Sequence, residues 1–354
     1  MSVLQLRRDM VVVEEEETAV EIDTPFPLRT IDAEAADVAD VEDVAEPEQE
    51  EHAGKSFFQV ARWWANVAMV VVAVLAYPVG IMLASDVGDG RVTSMVDRTK
   101  WTAPWAGAAA TLTEKHFNEL GWASDAPSWT PMARLTGKPA YQSAMAGAVG
   151  EFVALVRAQS AASGEMDADL SAAARLVNVN STGIQLRAAR DALVNYDRRM
   201  RRRSAAPVST PAQLSEQLDL IDSWAVKSQT EIAASSAVIG GSPIDDEATR
   251  AVYSAKGRAM AAYVFIDAMS WPENAKAAEA RSAALEAWRA AAQFHPLVVF
   301  NGSPDGSIFG NHAASMGFLT GQAKKATENF LAAAGAAAKP ASVVATAAPP
   351  TAEK

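Results

Sequence analysis

Hydrophobic positions follow one another almost without a polar break in one stretch of the chain, from Trp63 to Ala84. These 22 residues carry no charge. At about 1.5 Å of rise per residue, a helix of this length crosses the roughly 30 Å hydrocarbon core of a bilayer. The paired tryptophans at one end suit the headgroup layer. The pattern predicts a transmembrane helix over residues 61–85, with its ends marked by Trp63, Trp64, Tyr77 and Ala84.

Two other structures could contain such a stretch. One is a core helix of a soluble domain, and the other is a cleaved signal peptide. Signal peptides have shorter apolar cores and lie at the N-terminus, whereas 62 residues precede this stretch. An uncleaved single anchor is therefore our prediction.

Beyond residue 100 the apolar positions recur every three or four residues, which is the period of an α-helix. Thr210-Pro211 followed by Gln213 has the pattern of a capping box at a helix start. The pattern predicts an all-α fold, in which residues 86–335 form a multi-helix bundle. The predicted helices cover residues 103–121, 139–162, 168–177, 184–202, 211–238, 244–269, 273–293 and 311–334.

Charge divides the chain unevenly. The net charge is −12, and residues 1–54 alone hold 17 Asp and Glu against three Arg. A segment this acidic, with no sustained apolar period, cannot bury enough apolar surface to offset its ordering entropy. We therefore expect residues 1–60 to be a disordered acidic tail. The Ala- and Pro-rich residues 336–354 are expected to be disordered as well.

The orientation of the predicted anchor depends on the charges beside it. The Lys and Arg residues are nearly balanced on the two sides, but Arg62 adjoins the start of the span, whereas Asp86 and Asp89 follow its end. Long C-terminal domains are translocated largely regardless of charge. We predict a single-pass inner-membrane protein with a cytoplasmic N-terminus and a periplasmic helical domain. The absence of cysteine excludes disulfides and thiol chemistry.

One segment between predicted helices concentrates polar groups, from His295 to His312. Its candidate catalytic residues are His295, Asp305, Asn311 and His312, because imidazole and carboxylate groups perform acid–base chemistry and bind metals. The spacing matches no metal motif. The alternative is structural, since Asn301-Gly302 is typical of a turn and Ser303-Pro304 of a helix cap.

Five arginines cluster at the end of a predicted helix, at positions 198, 199, 201, 202 and 203. Cations complement the negative end of the helix dipole, so a solvated helix end is the simpler interpretation. The alternative is an anion-binding patch for acidic lipid headgroups or a cell-wall polymer. Nucleic acid is not an expected partner, because no aromatic residues alternate with these cations. The patch residues would be Arg198, Arg199, Arg201, Arg202 and Arg203.

The chain lacks the HExxH, nucleophile-elbow, SxxK, Walker and dinucleotide-binding motifs. The sequence therefore predicts no metal and no cofactor.

Several short sequence segments resemble those of an uncharacterised bacterial group, the domain-of-unknown-function family 2333. They are Gly121-Trp122, Trp129-Thr130-Pro131, Asp167 to Leu170, His295 to Gly302 and Asn311-His312. The resemblance covers roughly residues 60–335. It implies one N-terminal span followed by a helical remainder, and it supplies no activity and no catalytic residue.

Three functions remain open on the sequence, one of which is a membrane-bound sensor with a pocket in the bundle. The other two are as follows. The first is a non-catalytic envelope protein that contacts the lipid bilayer and binds protein partners through its acidic tail and its helical domain. The second is a periplasmic enzyme acting on a cell-wall or lipid substrate, with the segment from His295 to His312 at its centre.

Overall fold

A computed structural model describes residues 57–84, 87, 97, 100–162, 164, 166–202, 210–236, 245–271, 274–296, 299 and 311–338. The chain divides into two units, residues 1–60 and residues 61–354. Only residues 57–60 of the first unit are described, and they are helical. The α-helices are α1 (Phe57–Ala84), α2 (Pro104–Leu112), α3 (Gly137–Ala162), α4 (Ala168–Leu176), α5 (Gly183–Arg201), α6 (Pro211–Ser236), α7 (Asp246–Ala268), α8 (Ala275–Gln293) and α9 (His312–Ala338).

The prediction of an all-α fold is confirmed, and the described residues contain no strand. Each predicted helix of the bundle is present, with ends that differ by a few residues from the predicted ones, except that the α-helix predicted over residues 103–121 ends at Leu112. The predicted disordered segments at the two ends of the chain lie outside the described residues, except for residues 57–60 and 336–338, which are helical.

Local sequence signals account for several helix starts. Gln213 N–H donates to Thr210 Oγ1 (3.3 Å), and Thr210 N–H donates to Gln213 Oε1 (3.0 Å), which is the predicted capping box of α6. At α7 the cap is Asp245, whose carboxylate accepts the N–H of Glu247 at 2.8 Å. Short polar side chains thus fix where these two helices begin.

Helix α7 lies at the centre of the bundle and packs against α2, α3, α6, α8 and α9. It comes very close to α3 at Gly257. A Cβ atom at that position would lie 2.2 Å from the carbonyl oxygen of Tyr141 in α3. Only glycine allows the two backbones to come this close.

Aromatic side chains fill the space around α7. Phe265 of α7 stacks on Phe152 of α3, with ring centroids 3.9 Å apart. Trp224 of α6 lies on the other side of Phe265, at 6.3 Å. Trp105 of α2 continues the row from Phe152 to Tyr196 of α5. This row joins five helices through buried rings, which contribute most per residue to a hydrophobic core.

The helix predicted over residues 103–121 differs from expectation in its second half. After α2 the chain continues as a π-helix over Thr113–Glu119 and turns at Gly121, whose φ is +74°. The side chain of Gln142 closes this end. Its Nε2 donates to the carbonyl oxygens of His116 and Gly121, both at 2.7 Å, and its Oε1 accepts the N–H of Ala123. A π-helix leaves backbone groups without their usual partners, and Gln142 supplies them.

Helix α1 contains the predicted transmembrane segment. Among the residues that the structure describes, no helix has both the length and the hydropathy needed to cross a membrane. The side chains at Ala73, at Leu75 and from Tyr77 to Ala84 lie outside the described set, although their backbone is helical. The transmembrane prediction therefore stays a prediction.

The close approach at Gly257 makes a prediction about stability. Replacing Gly257 with Ala should lower the free energy of unfolding by roughly 1–3 kcal/mol, because the new methyl group must push two helix backbones apart. Urea denaturation measures the change.

The matched control is Gly335→Ala in α9, where a Cβ atom would meet nothing within 4 Å. This change should leave stability unchanged or raise it by up to about 1 kcal/mol. Equal midpoints for the wild type and Gly257→Ala would contradict the packing of α7 against α3.

Candidate functional site

Two of the five clustered arginines form ion pairs with aspartates of the bundle. Arg201 donates to the carboxylate of Asp197 at 2.9 Å and to the backbone carbonyl of Lys100 at 3.1 Å. Asp197 is only 2% exposed and also accepts the N–H groups of Thr102 and Ala103, at 2.7 and 2.8 Å. Those N–H groups belong to the start of α2, so this contact joins α5 to α2.

Arg199 makes the second set of ion pairs. Its guanidinium donates to the carboxylates of Asp167 and Asp169 at the start of α4. Asp167 is at the same time the N-cap of α4, accepting the N–H groups of Asp169 and Leu170 at 2.9 and 3.0 Å. One guanidinium therefore balances two carboxylates that lie at the positive end of a helix dipole.

The remaining arginines differ in surroundings. Arg198 and Arg202 are exposed, and Arg198 donates to Asn195 within its own helix at 3.0 Å. Arg203 lies outside the described residues. The structure thus divides the predicted anion patch into two arginines that form ion pairs with aspartates and two that face solvent.

Burial affects the titration of a neighbour of this cluster. Tyr196 is fully buried, and this burial raises the pKa of its phenol. The carboxylates of Asp167 and Asp197 raise the pKa further, because a phenolate beside them would be a third negative charge. Tyr196 is therefore neutral at physiological pH.

The candidate catalytic residues between α8 and α9 are only partly described. Asp305 lies outside the described residues. Asn311 caps α9, since its side-chain oxygen accepts the N–H of Ala314 at 2.7 Å. His312 contacts the ring of Phe294 edge-on, with centroids 6.1 Å apart. Asn311 and His312 thus have contacts typical of a helix start and of side-chain packing.

His295 has a neighbour that the sequence analysis missed. The ammonium of Lys256 in α7 donates to Nδ1 of His295 at 3.4 Å. Lys256 is completely buried, and its ammonium also lies 5.8 Å from the ring centroid of Tyr253. This contact fixes the orientation of the His295 ring, because it engages one of its two nitrogens. The available signal was a lysine four residues after Val252, inside an otherwise apolar stripe.

The residues that mark the predicted membrane anchor lie along α1. Trp63 and Trp64 are exposed on its first turns and contact each other edge-on, with centroids 4.9 Å apart. Tyr77 and Ala84 lie on the same helix, but their side chains are outside the described set.

A further titratable group lies between α6 and α9. Burial raises the pKa of the Asp222 carboxyl, while Lys324, 3.8 Å away, partly offsets this. Over the described part of the chain, His, Asp and Glu form no group of three that could hold a metal ion.

Comparisons with known proteins were made for the whole sequence. A scan against protein-family models, a search of curated proteins and a search of solved structures each gave no match. The resemblance to family 2333 therefore stays a prediction.

The arginine contacts make a second prediction. Arg199→Ala should lower the free energy of unfolding by about 1–2 kcal/mol, because two partly buried carboxylates lose their charged partner. Arg198→Ala removes only a contact within its own helix, so it should lower the free energy of unfolding by less than about 0.5 kcal/mol. Chemical denaturation of both variants provides the comparison, and equal losses would show that Arg199 does not hold α4 and α5 together.

Proposed function

We propose that this chain is a non-catalytic helical interaction module held at a membrane by α1. The observation that supports it best is a contrast in exposure. The large apolar side chains of the bundle are mostly buried, whereas those of α1 that are described face outward.

The exposed apolar side chains of α1 are unfavourable in water and are stabilised by an apolar environment. Met69, Val70, Val72 and Val74 are each between 61% and 69% exposed. Burying one such side chain is worth about 1.5–3 kcal/mol. Contiguous apolar surface on this scale is typical of an interface with a membrane or a protein. A bilayer is the occupant that we propose, because the apolar run extends over 22 uncharged residues and begins with two tryptophans.

The proposed interaction role is supported by the contacts of the charged side chains in the bundle, which are mostly with other helices of the bundle. Arg199 links α5 to α4, and Arg201 pairs with Asp197, the carboxylate that accepts the N–H groups at the start of α2. Arg258 of α7 forms two hydrogen bonds with Glu231 of α6, at 2.6 and 2.8 Å. These groups stabilise the scaffold itself. The exposed Arg198 and Arg202 are the cations that we propose bind an acidic headgroup or a cell-wall polymer. The acidic tail is the surface that we propose for protein partners.

We place the chain in an inner membrane, with the N-terminus in the cytoplasm and the bundle on the periplasmic side. Arg62 beside the start of the span supports this orientation, as does the length of the domain that follows. The resemblance to family 2333 agrees with this arrangement and contributes no catalytic residue.

Charged residues in α1 provide the test. The double change Val70→Lys and Val74→Lys places two ammonium groups one turn apart in the proposed span. Each lysine raises the free energy of membrane insertion by about 2.5–3.5 kcal/mol. We expect the wild type to stay with the membrane pellet after an alkaline carbonate wash and the variant to move to the supernatant.

The control is the pair Val226→Lys in α6 and Phe318→Lys in α9, which changes exposed apolar residues of the bundle. This control should stay in the pellet. Wild-type protein in the supernatant would overturn the membrane proposal. A reporter active only outside the cytoplasm, fused to the C-terminus, tests the orientation separately.

A second function, an enzyme acting on a cell-wall or lipid substrate, is favoured by one observation. The contact between Lys256 Nζ and His295 Nδ1 orients the exposed ring of His295, and an oriented, exposed imidazole is a group that performs proton transfer in enzymes. The same contact also serves a structural purpose, because it gives a buried ammonium an acceptor.

Two substitutions of His295 distinguish these roles. His295→Gln keeps a side-chain oxygen that can accept from Lys256 but cannot transfer a proton near neutral pH, whereas His295→Ala removes both properties. If His295 is catalytic, both variants fail to complement a deletion strain, and His295→Gln does so while its melting temperature matches the wild type. The scaffold proposal predicts that His295→Gln complements fully, and failure at unchanged stability would contradict it.

A further inference from the structure

A cavity of about 200 Å³ lies where the starts of α2 and α6 meet the ends of α5 and α7. Thr102 and Ser270 are exposed and form its mouth. Its interior is mainly apolar and is lined by Trp105, Met200, Leu214, Gln217, Ala268 and Met269. No charged side chain is among the described residues that line it.

One polar residue of the lining, Gln217, is almost completely buried, at 1% exposed. Hydrogen bonds fix its orientation through Gln159. The Nε2 of Gln159 donates to the carbonyl oxygen of Gln213 and to the carboxylate of Glu216, at 3.0 and 2.7 Å. Both of these partners can only accept, so the Oε1 of Gln159 must be an acceptor as well.

The orientation of Gln217 follows from this. Its Nε2 donates to the Oε1 of Gln159 at 2.9 Å. Its own Oε1 accepts no hydrogen bond from any described residue. A ligand in the cavity that supplies a donor to this oxygen makes a hydrogen bond that no described residue of the protein makes.

The surroundings restrict the charge and the size of such a ligand. Helix ends of both signs meet at the cavity and no charged side chain lines it among the described residues, so a neutral ligand is favoured over an ion. A cavity of about 150 Å³ is known to accommodate benzene. The volume here therefore suits one aromatic ring with one small substituent, and the two methionines can adjust to its shape.

We propose that this cavity binds a small neutral molecule of the phenol or aromatic-alcohol class, with its hydroxyl donating to Oε1 of Gln217. The ring lies between Trp105, Leu214 and the methionines. This site does not depend on membrane attachment, so either proposal can fail without the other.

Phenol and toluene are the probes, because they share a ring and differ in the donor. The full chain in lipid nanodiscs, labelled at its methionine methyl groups, is titrated with each probe and followed by NMR. We expect saturable shifts of the Met200 and Met269 signals. The variant Gln217→Met removes the carbonyl oxygen, and comparison of the phenol-to-toluene affinity ratio between variants cancels partition of the probes into lipid.

For the wild type we expect a phenol preference of about 3–10-fold, the effect of one hydrogen bond. This preference should fall to about 1 in Gln217→Met. Ala268→Leu fills the cavity and should abolish the shifts for both probes, whereas the exposed control Ala234→Leu should leave them unchanged.

Three results would overturn the proposal. They are the absence of saturable shifts in the wild type, equal affinity for phenol and toluene after the partition correction, and shifts that persist in Ala268→Leu. The first two need only the wild type, so a poorly folded Gln217→Met variant does not prevent a decision.

Discussion

The close contact between α7 and α3 is the constraint on which the rest of the bundle depends. The backbones meet at Gly257 and Tyr141, and this distance leaves no room for a side chain. A helix surrounded by five others can be packed this closely only where its residues are small. The buried positions of α7 are accordingly rich in alanine, with Ala251, Ala255, Ala259, Ala261 and Ala262 among them.

A small-residue core buries little apolar area per residue, so other contacts must hold the helices in place. In this protein charged and amide side chains make them. Arg258 with Glu231, Arg199 with Asp167 and Gln142 with the π-helix each join elements far apart in sequence. One of the residues in these contacts, Arg199, belongs to the predicted anion patch.

The helices could be predicted from the sequence because their signals are local. An apolar period and a cap such as Thr210 with Gln213 lie within one or two turns of the helix they specify. The π-helix after α2 could not be predicted in the same way, because it depends on Gln142, which reaches it from another helix.

In the candidate site, too, local features could be predicted from the sequence and contacts between distant residues could not. Asn311 was a visible polar residue at a helix start, but Lys256 beside His295 required the packing of α7 to be known. The aspartates that pair with Arg199 lie about 30 residues away along the chain, so no local pattern could separate Arg199 from the exposed Arg198.

The proposed arrangement assigns two solvents to one chain, lipid to α1 and water to the outer face of the bundle. Labelling with an apolar, carbene-generating probe that partitions into membranes tests this most directly, with the labelled peptides of the full chain identified by mass spectrometry. We predict that the label concentrates in Phe57–Ala84 and is nearly absent from the α6 and α9 peptides that contain the exposed Val226 and Phe318. Label spread evenly over these helices, or missing from α1, would contradict the account.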